Sequence, residues 1–289
     1  MSNTPHTQRT IVVAHDLDGT LAPDTVLHTL MGKCGYNAED FFKKLAIFEQ
    51  EVEDSGLDMD LEHAYMNFLL KWVNYEVLPA IDNQYLFNAG KEHPFFPGVV
   101  DYLQRTKQMV QKEFGNHGVT LEHHIVSTGL RQMILGSEIA PFVDYVFASE
   151  FMDGKHVNSG QTTIQYIAKA LGPTEKADVF FRINKGQYID KLIDHDDRMP
   201  HDQRPVPFPN MMFLLDGFTD RRACALLFDR GSYNIAVHDP NSEKSKKTVT
   251  KLFENRRVHT YAPANYCKGS ALSVIIDARI MQVGERLVR

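Results

Sequence analysis

The chain has few cysteines, a single tryptophan, no surplus of positive charge and no long apolar run, and each shortage removes a class of protein. The three cysteines, Cys34, Cys224 and Cys267, lie far apart, an odd number without metal-ligand spacing, so neither a disulfide framework nor a zinc site is encoded. They read as reduced thiols, two of them expected to be buried. No stretch is long enough to cross a bilayer, and residues 1–9 are polar, with neither an apolar signal core nor a lipidation pattern. A cytoplasmic protein with no membrane partner is the expectation. A formal net charge of −6 argues against a surface built for phosphate backbones, so nucleic acid is not an expected partner and any phosphorylated ligand must be gripped locally. The hydrophobic fraction of 43% over 289 residues is that of an ordinary globular chain, long enough for a core with an inserted module.

What is present is concentrated at the ends of apolar runs. Ile11 to Ala14 is a short β-branched run of the kind that fits a strand buried on both faces, and it stops at His15-Asp16-Leu17-Asp18-Gly19-Thr20. In an open α/β sheet, ligands bind beyond the carboxyl ends of the strands. Two carboxylates two residues apart share a side of an extended chain and can divide labour, one attacking an electrophile and the other carrying a proton. Asp16 is the candidate nucleophile and Asp18 the candidate proton carrier. Taken alone, Asp-Leu-Asp-Gly-Thr is also compatible with a simple turn.

After Leu21 the pattern turns helical. Residues 37–52 place Phe41, Leu45, Phe48 and Val52 on one stripe, and residues 60–77 repeat the design around Leu61, Tyr65, Phe68, Leu69 and Trp72. Such stripes read as helix packing rather than as a ligand box. The two prolines of Pro94-Phe-Phe-Pro97 mark a return to the core, giving residues 24–96 as an inserted helical cap and 1–23 with 97–289 as an α/β core. A helix over 99–114 precedes a second strand that closes on Ser127-Thr128-Gly129, where a hydroxyl and backbone N–H groups can meet a phosphate oxygen or cap a helix. Residues 143–151 read as a strand turning back at Asp153-Gly154 to pair with 155–158, and 162–171 as a short helix. The run 179–184 reads as a strand delivering Lys185, followed by a helix over 187–193. The loop 195–210 holds His195, Asp196, Asp197, His201 and Asp202 among four prolines, and its spacings fit a solvated loop better than a metal site. Residues 211–215 form a further strand ending in Asp216-Gly-Phe-Thr-Asp220, acids suited to a hard divalent cation or to capping the helix that follows.

Taken in order, Asp16-Leu-Asp18-Gly-Thr20, Ser127-Thr-Gly, Lys185 and Asp216-Gly-Phe-Thr-Asp220 resemble the haloacid dehalogenase-like hydrolase superfamily, closest to its phosphoserine-phosphatase-like branch with a helical cap after the first motif. The resemblance implies a Rossmann-like parallel sheet flanked by helices. It also implies a Mg²⁺-dependent phosphatase acting on a small-molecule phosphomonoester through a phosphoaspartate. Asp16 would be nucleophile and metal ligand, Asp18 general acid and base with its carbonyl on the metal, and Ser127 with the N–H groups of Thr128 and Gly129 the phosphoryl holders. Lys185 would be the neutralising cation, with Asp216 and Asp220 completing the metal shell. A phosphotransferase, or a non-catalytic phosphate-ligand binding protein, is the alternative. Leu215 stands where members usually carry glycine, which puts the setting of Asp216 in question.

Overall fold

The computed structural model describes residues 8–289. Strand β1 (Thr10–His15) is followed by four helices, α1 (Val26–Lys33), α2 (Ala38–Asp54), α3 (Leu61–Asn74) and α4 (Asn83–Gly90), and then by α5 (Val99–Phe114). The chain continues through β2 (Thr120–Leu130), α6 (Arg131–Gly136), β3 (Tyr145–Lys155), β4 (Thr162–Lys169), α7 (Pro173–Lys185), β5 (Met211–Leu215) and α8 (Arg221–Asp229). It ends in β6 (Tyr233–His238), α9 (Glu243–Glu254), β7 (Thr260–Pro263) and α10 (Ala271–Val288). The seven strands form one sheet in the order β4-β3-β2-β1-β5-β6-β7, parallel except for the antiparallel β3–β4 pair. This is a Rossmann-like α/β fold. Strand β1 lies at the centre, with β2 on one side and β5 on the other, so the chain leaves it in both directions and opens a crevice at its carboxyl end.

Strand periodicity decides what faces that crevice. Ile11 and Val13 enter the apolar layer shared with α5 and α10, while Val12 and Ala14 enter the layer shared with α7 and α8. Continuing the alternation puts Asp16 on the α7 side.

Several local expectations are corrected. Residues 179–184 are not a strand: they lie inside α7, which begins at Gly172-Pro173 with the Glu175 carboxylate accepting the Gly172 N–H at 3.1 Å and ends at Gly186 with φ of 81°. Its buried face is Lys176, Val179, Phe180 and Ile183, a helical repeat that a short apolar run conceals. Residues 162–171 are not a helix, because β4 occupies most of them and, not 155–158, pairs with β3. No helix forms over 187–193. The loop 195–210 is solvated over its first part, where Asp196, Asp197, His201 and Asp202 are exposed, but it is anchored at two places: His195 Nε2 lies 2.8 Å from Asp178 Oδ1, and Val206 and Phe208 are buried in the α7 layer. Of the cysteines only Cys224 is buried, Cys34 being intermediate and Cys267 exposed.

Two features make the core specific. Helices α4 and α6 touch backbone to backbone, since a Cβ on Gly90 would stand 1.9 Å from the Met133 carbonyl oxygen and one on Gly136 1.8 Å from that of Phe87. Beneath β1, three buried polar side chains form a directed chain. The Thr106 hydroxyl donates to the Tyr102 carbonyl at 2.8 Å, so it accepts from His123 Nε2 at 2.9 Å, and His123 Nδ1 then accepts from His15 Nε2 at 3.1 Å. One proton per ring satisfies the chain. Burial, aided by a neighbouring imidazole, depresses His15 to about 3 and His123 well below its usual value.

Gly136→Ala is expected to lower stability by about 1–3 kcal/mol through overpacking, and an unchanged thermal midpoint would contradict the backbone contact. Because the folded His15 and His123 pKa values lie below the unfolded ones, the unfolded chain binds protons that the native state refuses. Their contribution therefore works against folding as pH falls from about 6.5 toward about 3. Long-range ¹⁵N correlation spectra of the native protein at about pH 5 should show both rings neutral with the proton on Nε2. Imidazolium signals there would refute the chain.

Candidate active site

Beyond His15 the backbone of Asp16 still belongs to the sheet, its N–H donating to Leu214 O at 2.9 Å, and then the chain folds sharply. The Leu17 carbonyl accepts from the N–H groups of Thr20, Leu21 and Ala22, which brings Gly19 back against the end of β5. Gly19 has φ of 76°, and a Cβ there would lie 2.3 Å from Asp216 Oδ2. Glycine is therefore required twice over, by conformation and by space.

Asp16, Asp216 and Asp220 converge: one carboxylate oxygen of each lies within 4.8 Å of the others. Asp16 and Asp220 are buried and Asp216 partly so. The cation that meets them is Lys176, not Lys185. Lys176 Nζ donates to Asp16 Oδ1 and to Asp220 Oδ1, both at 2.8 Å, from a side chain 1% exposed. Burial opposes its charge, and the two carboxylates more than offset that and raise its pKa. Lys185 ends α7, nine residues further along, and donates to the backbone carbonyls of His195 and of Asp197, the latter at 2.6 Å. It fastens the following loop and takes no part in this cluster. The signal for Lys176 was the Gly172-Pro173-Thr-Glu175 helix start, which puts Lys176 on the buried face with Val179, Phe180 and Ile183.

Asp18 stands apart. Its Oδ1 accepts the Val26 N–H at 3.3 Å, and burial, with the Asp16 carboxylate second, pushes it up to about 8. It is therefore protonated near neutrality while its neighbour is held by an ammonium. Burial likewise raises Asp216, and raises Asp220 to about 7, with Asp16 adding to both and Lys176 opposing.

Strand β2 brings up the hydroxyl motif by leaving its ladder. Val126 pairs with Phe147 and Leu130 with Ser149, so Ser127, Thr128 and Gly129 stand opposite Ala148 alone. The released Thr128 carbonyl is recovered by two hydroxyls, Tyr65 from α3 at 2.6 Å and Ser149 from β3 at 2.9 Å. Gly129 N–H donates to Ser127 Oγ at 2.9 Å, and a Cβ on Gly129 would lie 3.7 Å from Asp18 Oδ2. The structure thus brings Ser127, Thr128 and Gly129 beside Asp18, with the Gly129 N–H already engaged. Tyr65 was legible only as one more aromatic on a packing stripe. Leu215 is wholly buried among Phe213, Ala223 and Leu227, so its side chain repacks the strand end on the α7 layer.

No family model matches the chain. An uncharacterized protein of Borreliella burgdorferi is 31% identical over 276 residues, 91% of this chain and 93% of that protein. The chain belongs to that protein's family. Its fold is the haloacid dehalogenase-like fold, shared with a probable phosphoserine phosphatase from Vibrio cholerae (TM-score 0.53, 12% identity, 98% of this chain and 68% of that one). It is shared equally with a HAD family hydrolase from Salmonella enterica serovar Typhi (0.50, 11%, 95% and 72%) and with cytosolic 5'-nucleotidase IIIB bound to cytidine (0.50, 11%, 98% and 88%).

The carboxylates fit a hard divalent ion. They are all-oxygen donors within reach of one centre, and Asp220 Oδ2 is buried with no hydrogen-bond partner. Lys176→Met leaves buried carboxylates without their counter-charge and is expected to cost about 3–5 kcal/mol in chelator. Mg²⁺ should recover part of that loss. Denaturant titration checks both, and an unchanged midpoint in chelator would count against the pairing.

Proposed function

We propose that this protein is a Mg²⁺-dependent phosphatase that hydrolyses a small-molecule phosphomonoester through a phosphoaspartate on Asp16. The observation that supports it most is the contrast between Asp16, whose Oδ1 accepts from the Lys176 ammonium at 2.8 Å, and Asp18, two residues on, with its carboxyl raised to about 8. An anionic nucleophile and a proton donor thus stand side by side.

In the first half-reaction a carboxylate oxygen of Asp16 bonds to phosphorus as the ester P–O bond breaks, and Asp18 gives its proton to the departing alkoxide. In the second, Asp18 takes a proton from a water that attacks the phosphoaspartate, which releases phosphate and regenerates both side chains. Asp16, Asp216 and Asp220, with the Asp18 carbonyl, would hold Mg²⁺, which supplies charge stabilisation to the phosphoryl oxygens. Lys176 orients Asp16 and sets a positive charge beside it. Ser127, with the backbone of Thr128 and Gly129, would bind the phosphoryl group. A halide would leave without needing a proton, so Asp18 favours phosphoryl chemistry over carbon–halogen cleavage. The likeness to a probable phosphoserine phosphatase and to a cytosolic 5'-nucleotidase supports the same reading.

We assign residues 24–96 to a cap that selects the substrate and excludes bulk water. Its α3 reaches the Ser127–Gly129 stretch through Tyr65, and so limits access by large phosphorylated partners. Three free cysteines and the absence of any helix long and apolar enough to cross a membrane among the described residues accord with a cytoplasmic location.

Release of inorganic phosphate from a panel of phosphomonoesters, with Mg²⁺ and with chelator, tests the reading. Metal-dependent release is expected, reduced by about three orders of magnitude or more in Asp16→Asn and in Lys176→Met, while Lys185→Met stays within a few-fold of the parent. Full activity in Asp16→Asn would refute the nucleophile. Strong loss in Lys185→Met with Lys176→Met active would reverse the assignment of the lysine.

A further inference from the structure

A second cavity, of about 420 Å³, opens between β3, the end of β4 and α7 with the chain that follows it. None of the carboxylate-site residues lines it. Its walls carry Arg131, Lys169, Arg182 and Lys191 against one carboxylate, Glu150, in a protein whose net charge is negative.

The local acids do not neutralise this group. Glu150 pairs with Arg131 at 3.4 Å. Asp178 pairs with Arg182 at 2.6 Å and also meets His195 Nε2 at 2.8 Å. Among the described residues no carboxylate lies within 4.0 Å of the Lys169 or Lys191 ammonium. Lys169 is partly buried, and burial together with Arg182 lowers its affinity for a proton. Holding an ammonium there, beside two guanidinium groups, is unfavourable unless an anion enters. The cavity is concave and only Lys191 of the four cations is exposed, which suits a small ligand better than a polymer lying across a surface. Tyr145 and Tyr188 form a further part of the wall, the Tyr188 hydroxyl already donating to Glu122 at 3.0 Å.

We propose that this cavity is a second anion site, binding a small compound that carries a phosphate or pyrophosphate group between Lys169, Arg182, Arg131 and Lys191. Guanidinium forks suit tetrahedral oxyanions, and two ammonium groups without partners supply the uncompensated charge. Arg131 directly follows the Ser127–Leu130 stretch of β2, so a ligand here would rest on the element that carries the hydroxyl motif.

The test is a calorimetric titration of the full chain with inorganic pyrophosphate in chelator, so that a metal-dependent event at the carboxylate site does not contribute. One site is expected in the parent, weakened at least tenfold in Lys169→Ala/Lys191→Ala and in Lys169→Gln. Neither lysine has an ion pair to lose and the Lys169 ammonium is unfavourable without an anion, so thermal midpoints of the variants should equal or exceed that of the parent, and that comparison confirms that they are folded. Absence of pyrophosphate binding to the parent, or equal affinity in the folded variants, would overturn the site. Neither outcome bears on phosphate release by Asp16.

Discussion

The structure depends on one buried ion triad, Lys176 between Asp16 and Asp220. At 2.8 Å and an effective dielectric constant of about 20, each contact amounts to roughly 6 kcal/mol of direct attraction, set against the desolvation of three charges. One ammonium cannot balance Asp16, Asp220 and Asp216 together. The excess negative charge is what a divalent ion would meet, and it adds to burial in driving the Asp216 and Asp220 carboxyls upward without one. An anionic ligand could not approach such a cluster unless further positive charge were present, so binding of a metal and of a phosphate ester would be coupled by electrostatics.

The geometry around the triad follows from how two strands end. Alternation along β1 sends Asp16 toward α7, whose second turn supplies Lys176, and the fold-back at Gly19 closes the distance to Asp216. Strand β2 then bulges by two residues, which turns Ser127 out of the ladder and lets Gly129 approach Asp18. The same residue type meets different surroundings at positions 16 and 18: Asp16 is paired with an ammonium, whereas Asp18 has no such partner and is raised by burial and by the Asp16 carboxylate, which the Val26 N–H opposes.

Much of this was legible in the residues. Each acid later found in the cluster could be named because each follows an apolar run that stops abruptly, and a parallel sheet collects the ends of such runs in one place. Lys176 was missed for a physical reason. Val179-Phe180-Phe181 is too short a run for periodicity to separate strand from helix, and the decisive evidence lay upstream, in Gly172-Pro173 and Glu175. The opposite error at 162–171 has a related origin: β4 is an edge strand of the sheet and is half exposed, so Thr162 to Lys169 shows no clean alternation in hydrophobicity. The bulge at Ser127 and the hydroxyl of Tyr65 depend on residues far apart in sequence, Ser149 and Thr128, and no local pattern encodes them.

The four helices after β1 are not held alike. Helix α4 meets α6 through glycines with no side chain between the backbones, so those two elements must move together, and α6 continues directly from the Ser127–Leu130 stretch. Helix α2 packs on α1 and α3 around Phe41, Phe68 and Trp72, whose ring centroids lie 5.1–5.3 Å apart. Helix α3 is tied down at three points: the Tyr65 hydroxyl donates to the Thr128 carbonyl, and at its end Asn74 accepts the His156 ring N–H on its carbonyl and the Gln165 amide on its side chain. Shifting α2 and α3 as a body would break these three hydrogen bonds and the packing of α3 on β4, whereas separating α4 from α6 would open a tightly packed backbone contact. The Thr128 carbonyl also keeps its Ser149 partner, so it does not depend on Tyr65 alone.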